Sequence, residues 1–219
     1  ISLAVEPGKA YYVPVGHTQG AQLPLGVVLD AVFPALRDKA VSKVGHNLNY
    51  DLTVLSRYGL NPNDVNVGFD TMVGAHLLGE RGLSLKQLAL SKLGVEMVLI
   101  TELIGRGSKQ VPFNAVAISD AAPYAAADAD MTLRLKNHIE AALDERSLMI
   151  LRELETPLIP VIVQMEQAGI ALDNSILGAL DEEHRVHLGV DDAHLQTRID
   201  LAPGQGHRVG AKRLIGLDQ

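Results

Sequence analysis

Residues 44–51 read Val-Gly-His-Asn-Leu-Asn-Tyr-Asp, and a change of period inside this stretch decides the fold. Val41 to Val44 is a short apolar run of strand type, whereas from Leu48 to Tyr58 the apolar residues recur at helical spacing until Gly59 ends the pattern. A strand that runs straight into a helix is the building unit of an α/β layer. On that helix Asn47 stands at the N-terminal edge, and Tyr50 and Asp51 follow three and four positions on, so an amide, a phenol and a carboxylate share one surface. The same residues also have an ordinary structural explanation, with Asn47 as N-cap, Tyr50 as a half-buried packing residue and Asp51 as an acid favoured by the helix dipole.

Upstream, Ile1 to Val5 and Ala10 to Val15 are β-favouring runs separated by Glu6-Pro7-Gly8-Lys9, the signature of a hairpin. Val27 to Arg37 turns to helical spacing and carries Pro34, which predicts a kink. Downstream, Val65 to Phe69 is extended and Asp70-Thr71 caps a helix reaching Leu78. Ser84 starts another helix that stops at Gly94, and residues 103–114 form a Gly-rich loop. Ser119 opens a long helix to about Arg146, with Pro123 near its start, where proline is tolerated. A further helix fits Leu148 to Gln167, with kinks expected at Pro157 and Pro160. Gly169 ends it, Ile170 to Leu172 is extended, and Asp173 or Asn174 caps one more helix. The chain therefore reads as an α/β domain over residues 1–146, succeeded by a helical segment over 147–219.

Composition narrows the function classes. A 219-residue chain with 47% hydrophobic and 21% charged residues can bury a sizeable core. It contains no cysteine, which excludes disulfides and thiolate metal sites and points to a cytoplasmic setting. No apolar run approaches the roughly 18 residues needed to cross a bilayer, so no membrane partner is expected. The first residue is Ile1, in mid-strand, which suggests a piece of a longer polypeptide. A net charge of -7 argues against a general electrostatic grip on nucleic acid, yet it permits a small acidic pocket that meets phosphate through cations.

A second carboxylate stretch is Tyr124-Ala-Ala-Ala-Asp128. Tyr124 and Asp128 lie four apart on the predicted long helix, so hydroxyl and carboxylate are neighbours beside small residues that leave room for a ligand. The competing explanation is an Ala-rich helix packed closely on a sheet, with Asp128 and Asp130 in solvent. Other features are weaker. His184, His187, Asp191 and His194 have helical spacing that Gly189 interrupts. Gly105-Arg-Gly-Ser-Lys lacks the strand and helix of a P-loop, so Arg106 and Lys109 belong to a loop that can touch phosphates. Gly204 to Gly210 lacks the dinucleotide-binding context and reads as a linker. Asp70, ahead of Thr71 and an apolar helix, reads as an N-cap rather than a ligand.

VGHNLNYDLTVLSRYGL at 44–60, FDTM at 69–72, YAAADADMTLRL at 124–135 and ELETPLIPVIVQMEQAGIALD at 153–173 resemble, in order and interval, the proofreading exonuclease domain of bacterial family A DNA polymerases. The resemblance covers residues 1 to about 173 and fades beyond. It implies an α/β, ribonuclease H-like exonuclease fold, a mixed sheet flanked by helices that here lacks its first strand, with the helical start of a polymerase thumb region after it. It implies a fragment of a DNA-directed DNA polymerase performing 3′ to 5′ proofreading, with Asp51, Tyr124 and Asp128 catalytic and Asp51 and Asp128 holding Mg²⁺ or Mn²⁺ in a two-metal site. Asp128 would ligate the tighter ion directly, Asp51 would support the second through water, and Tyr124 would orient the attacking water. His46, Asn47 and Tyr50 would contact the single-stranded 3′ end of DNA, His46 standing where the family often has glutamine.

The family also carries an Asp-x-Glu pair on a preceding strand, and no Asp-x-Glu occurs between Ile1 and Asp51. Two of four acids are thus absent, which predicts a weakly active or inactive fragment. The expected partners are DNA and the rest of the polymerase chain, with the protein a monomer. Two alternatives stay open: a non-catalytic exonuclease-like scaffold supporting a polymerase, and a stand-alone ribonuclease of the same fold.

Overall fold

The computed structural model describes residues 1–171 and Ser175–Ile176. The helix cap expected at Asp173 or Asn174, the histidine series from His184 to His194 and the Gly204–Gly210 run lie outside the described residues. Residues 1–165 form one compact unit, and a second unit spans Glu166–Ile215.

The expected hairpin forms. Strand β1 (Ser2–Glu6) pairs antiparallel with β2 (Lys9–Tyr12), Ser2 opposite Tyr12 and Glu6 opposite Lys9. Gly8 turns the chain at φ 86°, a conformation that costs glycine nothing, and Glu6 forms its ion pair with Lys9 on the surface. Helix α1 (Leu25–Arg37) comes next, with Pro34 inside it. Strand β3 (Lys43–Gly45) starts two residues later than the apolar run suggests, because Lys43 is drawn inward, its Nζ donating to the carbonyls of Asp38 and Val41. Helix α2 (Leu48–Ser56) is followed by Gly59 at φ 93°. Strand β4 (Val67–Asp70) pairs parallel with β3, Gly45 opposite Asp70, and runs into α3 (Thr71–Leu77). Helix α4 (Leu85–Leu93) starts at Ser84 and stops at Gly94, as its end signals indicate.

Three expectations need correction. The stretch assigned to a loop at 103–114 overlaps the end of a short helix, α5 (Ile100–Ile104), because Glu102 bonds back to the Leu99 N–H and closes a turn that Gly105 then ends. The long helix α6 (Ile118–Ala142) stops four residues short of Arg146. Asp144 accepts the Ser147 N–H and starts a separate helix, α7 (Glu145–Ile150). The helix expected over Leu148 to Gln167 starts earlier, at Glu145, and runs on through a π turn at Leu151–Glu155 into α8 (Thr156–Ala168), with Thr156 Oγ1 donating to the Leu151 carbonyl there. Pro157 lies just beyond that turn and Pro160 sits within α8.

The layer is α/β, with its mixed character divided between one antiparallel and one parallel ladder rather than one continuous sheet. Helix α6 unites them, packing against β1, β2 and β3 as well as α3 and α4. Its small Ala121 and Ala125 are buried, so the close-packing explanation of the alanines holds for these two. Close approach also needs Gly74 of α3, where an added Cβ would lie 2.9 Å from both Ile139 of α6 and Phe69 of β4. One apolar cluster joins α1, α2 and α8 through Leu29, Phe33, Leu52, Ile159 and Val163. A second joins β4, α3, α4 and α6 through Phe69, Ala75, Leu88, Leu135 and Ile139. The core therefore runs past residue 146 into α8. Among the described residues no helix is long and apolar enough to cross a membrane.

Candidate active site

The site gathers where the parallel strands β3 and β4 end, because the chain there leaves each strand into a helix that must be capped. Asp70, the last residue of β4 and 2% exposed, caps two helices at once. Its Oδ1 accepts the N–H groups of Met72 at 2.8 Å and Val73 at 3.3 Å at the start of α3, and of Asn47 at 3.2 Å. Its Oδ2 accepts that of Leu48 at 2.6 Å. The N-cap reading of Asp70 is correct, and its reach to the second helix is new. Asn47 does not cap through its own side chain; it sits in left-handed backbone at φ 65°, the only non-glycine residue with positive φ among those described. That turn brings the α2 amides onto Asp70 and sends Tyr50 and Asp51 outward along the first turn. Tyr50 is 46% exposed. His46 Nδ1 shares a 2.9 Å hydrogen bond with Thr71 Oγ1, and the Thr71 hydroxyl also bonds the Gly45 carbonyl at 3.1 Å.

Tyr124 and Asp128 face the same neighbourhood from α6. Ala121, Ala125, Thr132, Leu135 and Ile139 mark the buried stripe of that helix, and Asp128 holds the place between Ala125 and Thr132, where an apolar residue belongs. Asp130 is not solvated as the alternative explanation expected. It is 9% exposed, accepts the Gly8 N–H at 2.6 Å and pairs with Arg134 at 2.9 Å, tying the hairpin to α6. The Tyr124 ring packs against Phe113, 6.0 Å between centroids, and Phe113 against His17. Lys86 of α4 completes the group, its Nζ 3.2 Å from Asp128 Oδ1 and 4.2 Å from the Tyr124 ring centre.

Electrostatics bind these residues into one unit. Desolvation pushes the Asp51 carboxyl up to about 6, although the residue keeps a solvent-exposed side, and the Asp70 carboxylate adds to the rise. Desolvation also raises Asp128, against the opposing pull of Lys86 and His46. Tyr124 is raised by burial and then by Asp128. His46 is lowered by burial, against the nearby charges of Asp70 and Asp128. Carboxylates raised mainly by desolvation mark a place where their charge lacks solvent and a cation is welcome. Asp51 and Asp128 offer hard oxygen donors, so the chemistry fits a divalent cation in kind. The donors present are two, and among the described residues no group of three or more His, Cys, Asp or Glu side chains converges.

The Asp51 shift makes a pH prediction with a definite sign. A carboxyl raised in the folded state binds more protons there than in the unfolded chain, so its ionisation erodes stability as pH rises from about 4 through 6. Asp51→Asn should raise the melting temperature at about pH 7.5 and leave it unchanged at about pH 3.5. A melting temperature that does not move at the higher pH would mean that the Asp51 charge is not desolvated.

Arg106 and Lys109 are exposed on the segment before α6, and among the described residues neither joins the hydrogen bonds or ion pairs of this site. Lys86 and Phe113 carry no local signal that would single them out in the sequence. Nothing in a Ser-Leu-Lys-Gln helix start announces a partner 42 positions away.

A family model described as the 3′-5′ exonuclease of DNA polymerase A matches residues 1–144. DNA polymerase I of Chloroflexus aurantiacus is 40% identical over 184 residues, covering 82% of this chain and 19% of that protein. The chain thus spans about a fifth of the length of this curated relative. Two solved structures share the fold. One is the POL domain of Pol1 from M. smegmatis in complex with DNA primer-template and dNTP (TM-score 0.59, 23% identity, 77% of this chain and 26% of that one). The other is Brucella melitensis NrnC (TM-score 0.50, 19% identity, 72% of this chain and 70% of that one).

Proposed function

This chain belongs to the 3′-5′ exonuclease family of DNA polymerase A, and from that membership we propose that it is the proofreading segment of a DNA-directed DNA polymerase, acting on the 3′ end of a single DNA strand in replication and repair. The observation that carries the reading is the charge neighbourhood joining Asp51, Asp70, His46 and Asp128, with Tyr124 one helical turn from Asp128. Asp51 and Asp128 would hold Mg²⁺ or Mn²⁺, which would supply an activated water and relieve charge on the phosphate. The chain's own groups do the rest. Tyr124, its phenol kept protonated by burial and by Asp128, orients the attacking water. Asn47 and Tyr50, both exposed beside Asp51, receive the terminal nucleotides, and His46 flanks them. Arg106 and Lys109 meet strand phosphates from their exposed segment. The protein acts as a cytoplasmic monomer joined to its polymerase.

Two donors hold a cation less well than four, so a polypeptide of these 219 residues hydrolyses slowly. The test compares it with a chain extended to include an Asp-x-Glu strand, on a 5′-labelled single strand in Mg²⁺. Fast removal of 3′ nucleotides by the extended chain and little by the 219 residues is expected. Equal rates would sink the four-acid requirement, and an inert extended chain would favour the scaffold.

A further inference from the structure

We propose that Lys86 is a built-in placeholder cation for Asp128: its ammonium holds the carboxylate while no divalent ion does, and a divalent ion binds there only by displacing it. The inference rests on Asp128 being a metal ligand. Lys86 extends from the first turn of α4, which Ser84 caps, and two features of α6 fix its head. One is Asp128 Oδ1 at 3.2 Å, the other the face of Tyr124 at 4.2 Å from the ring centre. Lys86 lines a small depression with Met97, Val98, Leu103, Asp120 and Pro123, and its side chain is 21% exposed. Thr132 Oγ1, the near hydroxyl on the same helix, bonds the Asp128 main-chain carbonyl and leaves the carboxylate to Lys86.

An ammonium on Asp128 Oδ1 and a divalent ion on the same carboxylate repel each other at that range, so occupancy by one disfavours the other. A half-buried carboxylate on a core stripe is costly without a counter-charge, and Lys86 offsets that cost in the ion-free protein. The lysine is suited to leaving: its head is a compact, strongly hydrated charge on a flexible four-carbon stem. Once displaced it remains a free cation beside the site, within reach of the incoming phosphate.

The test reads Mn²⁺ affinity rather than activity, by the electron paramagnetic resonance signal of free Mn²⁺ over the 219-residue chain. Lys86→Met should bind Mn²⁺ about tenfold more tightly. Lys86→Arg, which keeps the charge, should stay near the parent. In an Asp128→Asn background the Lys86→Met gain should vanish. Thermal melts establish that each variant is folded, with Lys86→Gln as a second neutral replacement. Unchanged or weaker binding in both neutral variants overturns the proposal, as does an equal gain in the Asp128→Asn background, which would mark a general charge effect. If Asp128→Asn changes affinity in neither the parent nor the Lys86→Met chain, Asp128 is no ligand, and the metal reading falls with the placeholder. Loss of the placeholder effect alone leaves the exonuclease reading standing.

Discussion

Replacing Asp70 with alanine should lower the stability of this chain by about 3–5 kcal/mol, enough to bring a domain of ordinary stability close to unfolding. The four N–H groups of Asn47, Leu48, Met72 and Val73 all end on this one carboxylate. Losing a helix cap costs about 0.5–2 kcal/mol and stranding a buried donor about 1–3 kcal/mol. Two helix starts are stranded together, one of them nine-tenths enclosed with Leu48. Asp70→Asn keeps one acceptor oxygen and places an amide N–H against a donor at the other, so it should fall between parent and alanine. Urea titration of the three proteins measures the order. A loss below about 1 kcal/mol for Asp70→Ala would mean that water replaces the carboxylate and that α2 is positioned by its apolar face alone. The same substitution should disorder the site, since α2 carries Asp51, which is why the activity of such a variant says nothing about ligation.

Asp128→Asn, in a chain extended to carry the Asp-x-Glu strand, should reduce excision by at least about a thousandfold while the fold survives. On the proposed reading, the reduction would come from the loss of a ligating carboxylate in a partly desolvated place. Survival comes from the same burial. The carboxyl is raised above the usual range, so at neutral pH its charge is a burden that Lys86 only partly lifts, and an isosteric amide removes burden and ion pair together. Thermal stability should therefore move by no more than about 1 kcal/mol in either direction. Gel analysis of a labelled 3′ end measures the rate, and a melt in the absence of metal measures the fold. Excision at the parent rate would remove Asp128 from the site; a collapsed melt would make it a structural residue instead.

These two aspartates differ in how legible they are. The Asp70 cap is written locally: a polar residue followed by Thr71 and an apolar period is a helix start in any context, and the structure agrees. Its second helix is not legible, because the Asn47 and Leu48 amides lie more than 20 positions away and reach it only once β3 and β4 pair in parallel with Gly45 beside Asp70. Asp128 shows the reverse. Four-residue spacing from Tyr124 is visible, while its place on the buried stripe requires knowing which face of α6 meets β1, β2 and β3.

Local rules err where two of them compete. The helix expected to reach Arg146 ends at Ala142 because Asp144 caps a new one, a stronger local bond than continued periodicity. The α5 turn is hidden under a Gly-rich stretch that in fact begins just after it.

By itself the sequence determined the alternation of strand and helix, the hairpin, most helix ends, and the pairing of Tyr124 with Asp128, since all of these depend on neighbours within a turn or two. Only the tertiary structure decided that Asp70 organises two helix starts, that Asp130 is buried against Gly8, and that Lys86 rests on Asp128. Each of those joins groups far apart in the chain, and a contact of that kind exists only after the strands and α6 have packed.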